Sequence, residues 1–90
     1  NRTRAVQRER FKDDGISSNA EMSERHLKKY CKLSPECEEV LRYAFESLKL
    51  SARARSRIIK VARTIADMEL SENIEPKHLM EAVGYRGEEL

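Results

Sequence analysis

An arginine two places after a helix-capping serine is the feature of this sequence best suited to chemistry. In the run Leu50-Ser51-Ala52-Arg53-Ala54-Arg55-Ser56-Arg57-Ile58-Ile59-Lys60-Val61-Ala62-Arg63-Thr64-Ile65-Ala66-Asp67, Ser51 reads as an N-cap. Arg53 then falls in the first helical turn, where the positive end of the helix dipole disfavours a cation. A bound anion would remove the conflict. Backbone N–H groups at a helix start, together with a guanidinium, form a corner that reads phosphate, which points to a nucleotide sensor rather than a catalytic centre.

Turning about 100° per residue from Arg53 puts Arg57 and Lys60 on one narrow stripe, while Ile58, Ile59, Val61, Ala62, Ile65 and Ala66 spread over the other side. One face packs and the other presents charge. Arg55 falls inside the apolar arc, but near the helix start it can extend outward along its aliphatic stem. The rival reading of Arg53 is an ordinary ion pair with Glu36 or another surface acid.

The remaining reactive residues carry less. Cys31 and Cys37 have five residues between them, a spacing that suits neither a CxxC redox motif nor half of a zinc site, so they are expected to be reduced core thiols. Neither His26 nor His78 has a second ligand at helical spacing to complete a metal site. Both are expected to be solvated histidines on surface helices, and no metal site is expected.

Those residues need a scaffold, and 90 residues suffice for one domain with its own core. With 38% charged and 39% hydrophobic residues, three glycines and two prolines, the composition favours a solvated helical bundle over a sheet-rich fold or a disordered tail. No apolar run approaches a membrane span and no signal peptide is visible, so a cytoplasmic protein with no membrane partner is expected. The chain opens at Asn1 rather than methionine, directly in a charged helical pattern, and is expected to be a piece of a longer polypeptide. Net charge is +2, unevenly spread, with Arg2, Arg4, Arg8, Arg10 and Lys12 in one block and Arg53, Arg55, Arg57, Lys60 and Arg63 in another. Such blocks serve nucleic acid, nucleotide phosphates or an acidic protein face equally well.

Arg2 to about Phe11 reads as a helix whose thin apolar face, Ala5, Val6 and Phe11, is expected to dock on something outside the chain. Lys12 to Met22 reads as a loop from which Ile16 and Met22 reach the core. Ser23 caps a short helix to Tyr30, burying Leu27, Tyr30 and Cys31. Ser34-Pro35-Glu36 starts a core helix with Cys37, Val40, Leu41, Ala44, Phe45 and Leu48 at three- and four-residue steps. The short joint Lys49-Leu50 predicts that this helix and the one from Ser51 are antiparallel neighbours. A last helix runs from Pro76 through Leu79, Met80 and Val83 to a C-cap at Gly84, with Tyr85 to Leu90 frayed.

Five pieces carry a resemblance. Asn19-Ala20-Glu21-Met22, Leu50-Ser51-Ala52-Arg53-Ala54, Lys60-Val61-Ala62-Arg63-Thr64-Ile65-Ala66-Asp67, Ile74-Glu75-Pro76-Lys77-His78-Leu79 and Glu81-Ala82-Val83-Gly84-Tyr85-Arg86 follow in order over almost the whole chain. Together they resemble the C-terminal region of magnesium-chelatase-related AAA+ ATPases of the ComM type. The sequence departs from that pattern at Arg55 and Ser56, where members tend to carry an aromatic and an acidic residue.

The resemblance implies an all-α, AAA+ lid-like bundle of four to five helices, with residues 1–12 a helix linking to a core outside this chain and residues 13–90 the lid. Such a lid folds over bound ATP and touches the adjacent subunit of a ring. Arg53 matches the sensor-2 arginine that approaches the γ-phosphate; Arg57 and Arg63 also fit the pattern, with packing and ion pairing their simplest roles and Arg57 a subsidiary nucleotide contact. ATP and magnesium would be bound mainly by the absent core. The implied partners are that core and neighbouring subunits, with DNA open to the intact protein as a further partner, and the motor's work could be metal insertion into a porphyrin or DNA remodelling. The sequence has no GxxxxGK[ST] phosphate loop and no strand ending in paired acids, so this chain alone should not hydrolyse ATP. Two other classes remain. One is a helical nucleic-acid-binding module that uses the basic stripe of the 51–70 helix, against which stand the abundant acids and few aromatics. The other is a structural adaptor with no role for Arg53.

Overall fold

The computed structural model describes the backbone of residues 2–88 and the side chains of residues 3–84. Five helices form: α1 (Arg2–Arg10), α2 (Glu24–Tyr30), α3 (Pro35–Leu48), α4 (Ala52–Met68) and α5 (Pro76–Glu88), with a single 3₁₀ turn at Asn19–Glu21. The described residues contain no strand, and the architecture is an all-α bundle. None of the described helices is long and apolar enough to cross a membrane.

Capping chemistry sets the boundaries. The Ser34 hydroxyl accepts from the Cys37 N–H at 3.2 Å and Pro35 occupies the first helical position of α3, which satisfies an orphan donor and presets φ. Lys49 then closes α3 in the left-handed region at φ 52°. α4 ends in a Schellman closure, in which the Ser71 N–H donates to the Ala66 carbonyl at 2.8 Å and the Leu70 N–H to that of Asp67 at 3.0 Å. Leu70 takes the left-handed position, φ 59°, that glycine usually fills.

The core joins Cys37 and Leu41 of α3, Ile58, Ile59, Ala62 and Ile65 of α4, and Leu79 and Ala82 of α5. Phe11, Met22, Leu27 and Cys31 extend it under the N-terminal half. Each of the Leu, Ile, Phe and Met side chains among them contributes about 1.5–3 kcal/mol of burial. Both cysteines are buried free thiols. Burial pushes Cys31 up to about 11, against the opposing charges of Arg63 and Arg10.

Five expectations are corrected. α3 and α4 are not close neighbours along their lengths; each packs on α5, and they meet through side chains such as the Arg55–Glu38 pair at 3.5 Å. A short joint brings two helix ends together but does not align their axes, and Lys49 redirects the chain. α1 docks within the chain, on α4. Phe11 just beyond it is 1% exposed and stacks edge-on against Tyr30 with ring centroids 5.2 Å apart. Gly84 is not a C-cap, because α5 continues to Glu88 and Gly84 has no positive φ; a helical glycine costs only about 1 kcal/mol. Met80 is exposed rather than core, since Leu79, Ala82 and Val83 form the inward arc. Of the expected fraying from Tyr85, residues 89–90 lie outside the described residues.

The histidines are the fifth correction. His26 and His78 are buried, and each sits third in its helix with Nδ1 turned back to accept a backbone N–H, from Ser23 at 3.1 Å and from Glu75 at 2.9 Å. They fill the place of the Glu or Gln of a capping box. An imidazole can do this while burying its ring, which a charged carboxylate cannot.

Candidate phosphate-binding groove

Ser51 is extended at φ −85° and ψ 166° and caps α4, its hydroxyl accepting from the Ala54 N–H at 3.2 Å. Its carbonyl accepts the Arg55 N–H at 3.1 Å, the first intrahelical bond. The N–H groups of Ala52 and Arg53 precede that bond and have no acceptor within the helix. Arg53 is exposed and, among the described residues, takes part in no hydrogen bond or ion pair. The expected alternative, a pair with Glu36 or another acid, does not form there.

Beside this helix start lies a groove of about 360 Å³ lined by Ala20, Arg53, Ser56, Arg57, Lys60 and Val61. Among the described residues, three cations and no carboxylate line it. The 3₁₀ turn forms the second wall, drawn in by Lys60, whose Nζ donates to the Ala20 carbonyl at 3.5 Å. Ser56 and Arg55 tie this helix start to its neighbours. Ser56 donates to Glu24 of α2, and Arg55 pairs with Glu38 of α3 at 3.5 Å. The groove can hold phosphate oxygens, of a nucleotide or of a nucleic-acid backbone, through guanidinium, ammonium and helix-start N–H donors.

Arg63 lies elsewhere. It is 3% exposed, with Nε 3.1 Å and Nη2 3.0 Å from Asp67 Oδ1 and further bonds to the carbonyls of Glu72 at 3.1 Å and Ser71 at 2.7 Å. Asp67, 1% exposed, also accepts from Arg10 at 2.7 and 2.9 Å and from Asn19 at 2.9 Å. Burial pushes the Asp67 carboxyl up, but Arg10, Asn19 and Arg63 outweigh it and hold the group below its ordinary range. The same contact raises Arg10. Gln7 completes the junction, its Oε1 accepting the Asn19 N–H at 2.8 Å.

This junction positions the groove wall, because it seats Asn19, and with it Ala20, against α4. The sequence marks only the Arg63 and Asp67 part of it, four residues apart on one helix; the contribution of Gln7, Arg10 and Asn19 arises from tertiary contacts that no local pattern signals. No cluster of three or more His, Cys, Asp or Glu side chains among the described residues could hold a metal ion.

The profile of a protein family described as magnesium chelatase, subunit ChlI C-terminal, matches residues 1–86. The chain is 47% identical over 68 residues to the protein YifB of Salmonella typhimurium, a match covering 76% of this chain and 13% of that protein. It is 43% identical to the competence protein ComM of Haemophilus influenzae over the same shares of each. The chain thus spans 13% of the length of these curated relatives.

Proposed function

The chain belongs to the magnesium chelatase ChlI C-terminal family, and from that premise we propose that it is the lid of a cytoplasmic AAA+ ATPase, with Arg53 as the sensor-2 arginine. The observation that carries this is Arg53 itself, an exposed guanidinium without an acid partner among the described residues, at the start of a capped helix with two unbonded N–H groups beside it. An unpaired cation at the positive end of a dipole is poorly placed unless an anion arrives.

In this reading the AAA+ core of the intact protein holds most of ATP and its magnesium ion, and α4 brings Arg53 to the terminal phosphate. There the guanidinium stabilises charge that grows as the phosphoryl group transfers. Arg57 and Lys60 raise the positive potential of the groove and draw the phosphates toward it. The lid also contacts neighbouring subunits of a ring. The 90-residue chain does not hydrolyse ATP by itself.

The test is Arg53→Ala in the intact protein. ATP turnover is expected to fall about 100-fold, the usual effect of removing one preorganised donor, while the melting temperature of the 90-residue chain moves by less than about 4 °C, since surface substitutions stay within about 0.5 kcal/mol. Unchanged turnover rejects the proposal. If the variant instead weakens DNA binding with a shallower salt dependence and leaves turnover alone, the groove reads a nucleic-acid backbone.

A further inference from the structure

Between α3 and α5 lies a second groove, of about 560 Å³, that the phosphate site does not use. Its walls are Val40, Tyr43 and Leu48 of α3 and Met80 and Val83 of α5, and among the described residues Glu39 is the one charged residue lining it. Tyr43 is 74%, Met80 65% and Leu48 44% exposed. Scattered surface apolar residues are ordinary, but large ones grouped in one concavity mark an interaction surface.

Three features specify the occupant. All regular structure described is helical, so the groove offers no strand edge, and an extended peptide would bury its own backbone N–H and C=O groups unpaired. A helix satisfies those groups internally. The α3 wall runs from Val40 to Leu48, about 12 Å at the helical rise, which matches two turns with anchors at i, i+3 or i+4 and i+7. The rim is acidic, since Glu36, Glu39 and Glu46 of α3 stand against the single Arg42, while Glu38 lies on the other side of the helix, paired with Arg55. Arg42 is shared between Glu39 at 2.6 Å and Glu46 at 3.6 Å. Glu36, one turn before Val40, and Glu81, next to Met80, form no ion pair with described residues.

We infer that this groove docks an amphipathic helix whose apolar anchors are flanked by lysine or arginine. The inference does not depend on Arg53, and either reading can fail without the other.

The probe is a fluorescein-labelled, leucine-anchored helical peptide of about 18 residues, long enough to hold a helix, made with lysine flanks and, separately, with glutamate flanks. Anisotropy titrations with the 90-residue chain are expected to show saturable binding of the lysine peptide, at least about 10-fold tighter than its glutamate counterpart. Methyl NMR shifts should concentrate on Leu48, Met80 and Val83. Tyr43→Ser and Met80→Ser, both at exposed positions, should each weaken binding several-fold with unchanged helical melts. Glu36→Lys with Glu39→Lys should erase the charge preference and keep a folded chain. The inference is overturned if the two peptides bind alike, if the shifts fall outside α3 and α5, or if the serine variants bind as tightly as the parent. Self-association of the chain through those same methyls in the absence of peptide also overturns it, since a second copy would then be the occupant.

Discussion

Replacing Asp67 by alanine removes the anion on which Arg10, Asn19 and Arg63 converge. The carboxylate is 1% exposed and the Arg63 side chain 3%, so the freed guanidinium cannot recover water without opening the bundle. Breaking a buried pair from one side costs about 3–5 kcal/mol, against a total stability of roughly 5–15 kcal/mol for a domain. For a chain of this size each kcal/mol moves the melting temperature about 4–8 °C, so Asp67→Ala should lower it by at least about 12 °C. Urea titration followed by far-UV circular dichroism measures the loss directly. Glu39→Ala, which removes an exposed partner of Arg42, is the control and should leave the midpoint nearly unchanged. Acid should reproduce the effect of Asp67→Ala. Because the folded carboxyl is held below its ordinary range, its contribution is full above about pH 4, the unfolded value, and is lost as pH falls through the depressed folded value. A loss below about 1 kcal/mol for Asp67→Ala would refute the reasoning, since the two arginines would then be adequately satisfied without it.

Two further outcomes follow from local geometry. Alanine at Gly15, where φ is +73° with nothing within 4 Å, should destabilise by about 1 kcal/mol through the backbone alone, whereas alanine at Gly84, helical and equally open, should stabilise by about 0.5–1 kcal/mol; paired thermal melts decide both signs. Cys31, buried and with its thiol pushed up to about 11, should resist iodoacetamide at pH 8 in the native chain and react readily in guanidinium, and fast native alkylation would show that the core opens there.

The starts of α2, α3 and α4 were legible because serine caps are local chemistry, and each helix begins one residue after Ser23, Ser34 and Ser51. The apolar arc of α4 and the Cys37, Leu41 and Ala44 part of that of α3 were legible for the same reason, a period set by the helix itself, whereas Leu48, expected in the core, lies exposed. The docking of α1 was not, because its hold on α4 comes from Gln7 and Arg10, which a hydrophobic pattern reads as surface. The burial of His26 and His78 was not legible, because their partners are backbone N–H groups, which no ligand-pair spacing signals. Gly84 was read as a stop because composition cannot distinguish a helical glycine from a left-handed one. Of the groove, the stripe of Arg53, Arg57 and Lys60 follows from helical spacing, whereas its second wall at Ala20 depends on a junction that crosses 48 residues of sequence from Asn19 to Asp67.

That junction also governs motion. With the side chains of α1, the 3₁₀ turn and α4 clamped on one carboxylate, and the Arg63 fork gripping the turn into α5, the first helix and the arginine-bearing helix behave as a single lever. A displacement of the Arg53 end is carried about four helical turns along α4 to Asp67, where α1 and the 3₁₀ turn are held.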